Sequence, residues 1–192
     1  MNSFLAQPLA TWYRGHVATA NRRITDLASD QISVFHKGLP IRAQGMSIKD
    51  FIATKPNLFN SDFQLPIMVL RDSSLAHNIQ RMADYCSSLG FELAPHVKTP
   101  MSPQIAKRQM DAGAWGLTIA NFSQASVMLD FGFSRLIIGN EVMEPTSIVK
   151  IAEINGSGQG EIIFYIDSLA GLKIAQSAIE GVAKAKLNVF ME

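Results

Sequence analysis

Cysteine is almost missing from this sequence: Cys86 is the only one in 192 residues. A single thiol excludes an internal disulfide framework and fits a reducing compartment. Charge is sparse as well. Charged residues make up 17% of the chain, and the formal net charge is +1. That balance offers no basic surface for nucleic acid or for an anionic membrane. No apolar run approaches the roughly 20 residues that cross a bilayer. The opening MNSFLAQPLATWYRGH has no continuous apolar stretch of the secretory type. The expectation is a soluble, cytoplasmic protein. Common catalytic and metal motifs are missing too: H-E-x-x-H, C-x-x-C and G-x-S-x-G do not occur. His16, His36, His77 and His96 are scattered, so no local metal site is visible.

What is present is apolar and periodic. Hydrophobic residues make up 47%, which is globular, and 192 residues suit one domain with a sizeable core, or one and a half. Tyr13, Val17, Ala20, Ile24 and Leu27 predict a helix over 11–29. KGLPIRAQG ends it, and irregular sequence follows to a soft boundary near Asn60. Beyond that point strands and helices alternate. PIMVL (Pro66 to Leu70), FELAPHVK, WGLTIA, RLIIG, EIIFYI and LNVFM read as strands. Between them lie helices with clear punctuation. Leu75, Ile79, Met82, Cys86 and Leu89 share a face, Ser102-Pro103 starts the next helix, Pro145 opens another, and Ser168 caps the last.

Strands start every 20 to 26 residues or so and show little polar alternation, which suits parallel strands covered by helices. The period fits a (β/α)8 barrel and an open doubly wound sheet alike. A barrel needs eight strands. This α/β sequence supplies too few and stops inside a strand, so the expectation is an N-terminal extension over 1–60 and the first part of an incomplete barrel over 61–192.

The chemistry concentrates in APHVKTPMSPQ. On a strand over 91–98, Phe91, Leu93, Pro95 and Val97 share one face, and Glu92, Ala94, His96 and Lys98 the other. In a barrel the second face is the interior, and Lys98 would stand at the carboxyl-terminal mouth, where barrel active sites form. A lysine partly desolvated there has a lowered pKa and a nucleophilic amine. The competing reading is a lysine that ends a strand in solvent, and spacing alone leaves the two balanced.

Pro95-His96-Val97-Lys98-Thr99 followed by Ser102-Pro103 resembles the P-H-x-K-T motif of fold-type III pyridoxal-phosphate enzymes, which are related to alanine racemase. Within them the chain is similar to the D-threonine aldolase and D-serine dehydratase branch. LPIMVLRDSSLAHNIQRMADYCSSLG, AGAWGLTIA, ASVMLDFGF and LIIGNEV carry the resemblance further, over roughly 36–192. It implies that Lys98 forms the aldimine with pyridoxal 5'-phosphate and then acts as general base. It implies that the substrate is a D-amino acid, most closely D-serine, converted to pyruvate and ammonia. Retro-aldol cleavage of D-threonine and a non-catalytic carrier of the cofactor are the alternatives. His96 would position the lysine or cofactor. Thr99 could bond nearby, and Asn121 and Asn140, each following a strand, could line the pocket or serve as turn residues. The resemblance also implies a divalent metal, zinc or manganese, held by residues beyond this chain, and a homodimer. The phosphate loops and the group facing the pyridine nitrogen are expected beyond the chain too. The 192 residues alone are therefore expected to bind the cofactor weakly and to aggregate.

Overall fold

A computed structural model describes residues 22–192. These form two compact units, one spanning Arg23–Phe91 and the other containing Glu92–Glu192. Most of the helix expected over 11–29 lies outside the described residues, as does His16. Its end, Ile24–Ser29, is a 3-10 helix.

The unit Arg23–Phe91 has a small core of Ile32, Ala43 and Phe51, with Phe63 edge-on to Phe51 at 5.9 Å. Its helices are α1 (Ile48–Ala53), capped by the Ser47 side chain, and α2 (Asp72–Ser88). No residue of α2 is buried. Leu75, Ile79 and Cys86 are half-buried, while Met82 and Leu89 stand in solvent. The expected strand PIMVL is not one. Pro66 to Leu70 has no strand pairing, and Met68 is 94% exposed. An apolar run becomes a strand only when a neighbour takes up its N–H and C=O groups, and this run has no such partner.

The larger unit holds the regular α/β structure. In chain order it contains α3 (Pro103–Asp111), β1 (Leu117–Ile119), α4 (Phe122–Asp130), β2 (Arg135–Glu141), α5 (Pro145–Ser157), β3 (Glu161–Ile166), α6 (Leu169–Ile179) and β4 (Asn188–Met191). The four strands are parallel and lie in the order β1-β2-β3-β4. A doubly wound sheet reverses its order at a switch point. This sheet does not, and it winds one way as a barrel wall does.

Segment 93–97 adds a further stave beside β1. Trp115 N–H donates to Leu93 O, Thr118 N–H to Pro95 O and Val97 N–H to Thr118 O, each at 2.8 Å. His96 pairs with Thr118 as an isolated parallel bridge. FELAPHVK was expected as a full strand, but Pro95 has no N–H to give to a ladder, and the pairing is reduced accordingly.

Alternation along the strands divides the side chains. Leu117, Ile119, Leu136, Ile138, Ile162 and Phe164 are buried with Ile148 and Ile151 of α5, Ala125 and Met128 of α4, and Ala175 of α6. Each fully buried aliphatic chain of this size contributes about 1.5–3 kcal/mol. At the start of β1, Gly116 lets the chains close in: a Cβ there would sit 2.7 Å from the Arg135 carbonyl oxygen. A polar tie fastens α5 to β3. Asn155, 8% exposed, accepts from Ile162 N–H at 2.7 Å and donates to Ile162 O at 2.9 Å.

Candidate functional site

On the face of the sheet away from that core lies an open trough of about 460 Å³. Ala94, His96, Thr118, Gly139, Asn140 and Tyr165 line it, together with Glu141. These residues sit toward the carboxyl ends of their strands, the end at which barrel enzymes build their sites.

Two local features shape it. The first is a bulge in β2. Ile138 pairs with Phe164, but the next pair is Glu141 with Tyr165, so Gly139 and Asn140 are extra residues on β2. Bulges re-aim side chains, and here Gly139, Asn140 and Glu141 all line the trough. The second is the floor at Gly139. A Cβ there would lie 3.0 Å from Thr118 Cγ2 and 3.7 Å from His96 Cε1, so the glycine leaves the floor open beside the imidazole. Thr118 is held by its own hydroxyl, which donates to Ala94 O at 2.8 Å. The Tyr165 ring packs against Phe190 at 5.5 Å.

Of the residues singled out from the sequence, His96 and Asn140 line this trough. Lys98 and Thr99 lie one step further along, in an exposed turn after Val97. That turn closes with Met101 N–H donating to Val97 O at 3.0 Å. Asn121 is the N-cap of α4, and its side-chain oxygen accepts from Gln124 N–H at 3.0 Å. Asn140 sits inside β2 rather than after it, because the strand continues through the bulge to Glu141. Sequence reasoning passed over Glu141, Tyr165, Gly139 and Gln124. Tyr165 was legible in principle, since alternation opposes it to the buried Phe164. Gln124 depends on a long-range bond that no spacing announces.

Beyond β2, Glu144 caps α5 and accepts from Thr146 and Ser147 N–H. Burial pushes its carboxyl up, but hydrogen bonds from the Ser147 and Thr146 side chains and backbone outweigh this and hold it below its ordinary value. Among the described residues no group of three or more His, Cys, Asp or Glu is placed to hold a metal ion. No helix among them is long and apolar enough to cross a membrane.

No family model matches the chain. The 3-hydroxy-D-aspartate aldolase of Paracoccus denitrificans is 25% identical over 142 residues, 73% of this chain and 36% of that protein. The crystal structure of D-threonine aldolase from Filomicrobium marinum superposes with a TM-score of 0.61 at 30% identity, covering 67% of this chain and 34% of that one. The D-threo-3-hydroxyaspartate dehydratase from Delftia sp. HT23 gives 0.59 at 25% identity, over 67% of this chain and 33% of that one. The chain is a relative of the fold-type III pyridoxal-phosphate enzymes. It spans about a third of the length of the relatives it matches. The parallel sheet is the wall of the alanine racemase-like barrel that these fold-type III relatives share.

The trough suits part of their cofactor. Its volume falls in the range of small-molecule sites, and a few polar groups converge in it, as such sites require. His96, Thr118, Asn140 and Tyr165 offer donors and acceptors to a polar aromatic ring, and the missing Cβ at Gly139 leaves room on the floor. No lysine or arginine lines it, so the phosphate group would need partners other than these.

Proposed function

We propose that this chain carries the lysine-bearing part of a pyridoxal-phosphate-dependent lyase acting on a D-amino acid with a β-hydroxyl group, with D-serine as the substrate. The observation that carries the reading is the placement of Pro95-His96-Val97-Lys98-Thr99. His96 lines a trough at the carboxyl end of a barrel wall, and Lys98 follows it where the chain leaves the sheet.

Pyridoxal phosphate, when bound, supplies an electron sink for the charge left on the substrate α-carbon. The residues of the chain do the rest. Lys98 Nζ holds the cofactor and takes the α-proton as general base. His96 lies beside the lysine segment and orients what occupies the trough. Asn140 and Tyr165 present hydrogen-bonding groups to substrate or cofactor. Thr99 bonds at the rim, while the Asn121 side chain is committed to the start of α4. Loss of the α-proton and the β-hydroxyl from D-serine, as water, leaves 2-aminoacrylate, whose imine form takes up a water molecule to give pyruvate and ammonia. The protein works in the cytoplasm as a homodimer; a zinc or manganese ion, if bound, would supply a Lewis acid toward the β-hydroxyl, and no group of the described residues is placed to hold it.

A second reading has its own support. The 3-hydroxy-D-aspartate and D-threonine relatives are named aldolases. The same lysine could serve cleavage of the Cα–Cβ bond, releasing an aldehyde. The test uses the full-length gene product with pyridoxal phosphate and borohydride, with the label located by peptide mass. Label on Lys98 is expected, and Lys98→Ala removes the label with at least about 10³ of the turnover. No label on Lys98 sinks both readings. Pyruvate from D-serine selects the dehydratase, glycine and aldehyde from D-threonine select the aldolase, and label without turnover of either leaves a carrier.

A further inference from the structure

We propose that Gln124 is a positioning residue for Lys98. The inference rests on the reading that Lys98 holds the cofactor, and it deepens that reading. Gln124 lies near the start of α4, half-buried, and both ends of its side-chain amide are used. Oε1 accepts from Ala120 N–H at 2.9 Å, at the end of β1. Nε2 donates to the Lys98 carbonyl oxygen at 3.1 Å. Its own backbone N–H is anchored on the Asn121 side chain at 3.0 Å. One amide therefore ties the lysine backbone to the neighbouring strand.

The tie falls where the sheet stops holding the chain. Val97 makes the last sheet bond of the segment, to Thr118 O, and Lys98 begins the turn. That turn contains a left-handed residue, Met101 at φ 42°. A non-glycine residue in that region persists only where its surroundings hold it. A lysine side chain is long and mobile, so the placement of its backbone decides where the amine can reach. Small displacements of a reacting group cost large factors in rate. Gln124 fixes that origin without touching substrate or cofactor.

The test compares the full-length parent with Gln124→Glu and Gln124→Met. Glutamate keeps the acceptor for Ala120 N–H and loses the donor to Lys98, whereas methionine keeps the shape and loses both. Each protein is treated with limiting pyridoxal phosphate and borohydride, and Lys98 label is measured against Lys107. Amide exchange is followed at Met101 and in β3. In both variants Lys98 label is expected to fall about tenfold relative to Lys107, a loss typical of a misplaced reacting group. Met101 exchange should quicken while β3 exchange stays at the parent rate. Parent-level labelling of Lys98 in Gln124→Glu overturns the proposal. So does a loss matched by faster exchange in β3, which would mean a merely structural role. If the parent takes no label on Lys98, the cofactor reading fails. Competitive acetylation of Lys98 against Lys107 then decides on Gln124: a changed ratio in the variants supports its hold on the lysine, and an unchanged ratio overturns it. Should Gln124→Met not fold, Gln124→Glu carries the comparison.

Discussion

Ile67-Met68-Val69-Leu70 and Ile162-Ile163-Phe164-Tyr165 look alike on paper. In the folded chain they differ completely. The second run forms β3, paired on both sides, with Ile162 and Phe164 buried. The first has no strand pairing and stands largely in solvent. Apolar composition proposes a strand, and neighbours decide it. β3 has a strand on either side and α5 tied to it by Asn155.

That contrast can be broken at several levels. Phe164→Ala, at a site 1% exposed, should cost about 3–5 kcal/mol. Denaturant melts would show it as a lower midpoint, and a cost under 1 kcal/mol would mean that β3 is not the central strand described. Asn155→Ala strips two hydrogen bonds from the Ile162 backbone and should cost about 2 kcal/mol, with faster exchange of the Ile162 amide.

Glu144→Ala removes the cap of α5 and should cost about 1 kcal/mol at neutral pH. The folded-state carboxyl titrates below 4.5, its ordinary value. The cap therefore stabilises fully above that value and is lost as pH falls through the lower folded value. The difference between the parent and Glu144→Gln should accordingly shrink on acidification, and a gap that widens in acid would contradict the shift. Met68→Gln, at a site 94% exposed, should change stability by less than about 0.5 kcal/mol. A large loss there would show that Pro66 to Leu70 is a paired strand in solution, and would erase the contrast.

The same contrast explains what the sequence allowed one to read. β3 matched its expected bounds, Glu161 to Ile166, because a central parallel strand is a continuous apolar run with a glycine before it. Ser102 and Ser168 mark helix starts because their short polar side chains accept the first free N–H groups. The P-H-V-K-T stretch pointed to the lysine through resemblance, not through periodicity. Features that depend on two distant segments left no such trace. Pro66 to Leu70 lacks a partner that composition cannot reveal. Gln124 meets Lys98 across 26 positions of sequence. Asn140 was singled out for following its strand, a different reason from the two extra residues in β2 that bring it into the trough.

Those extra residues number two, not one, and the parity matters. A single insertion into a strand turns every later side chain to the opposite face. With two, Ile138 still faces the buried helices and Glu141 still faces the trough, each beside a partner of matching orientation on β3. Deleting Gly139 and Asn140 together would restore a regular ladder and keep both faces, at the loss of one polar group from the trough. Deleting either alone would turn Glu141 toward the buried aliphatic layer. The strand thus holds a removable two-residue cassette, where the lining of the trough can be rewritten without rewriting the wall that supports it.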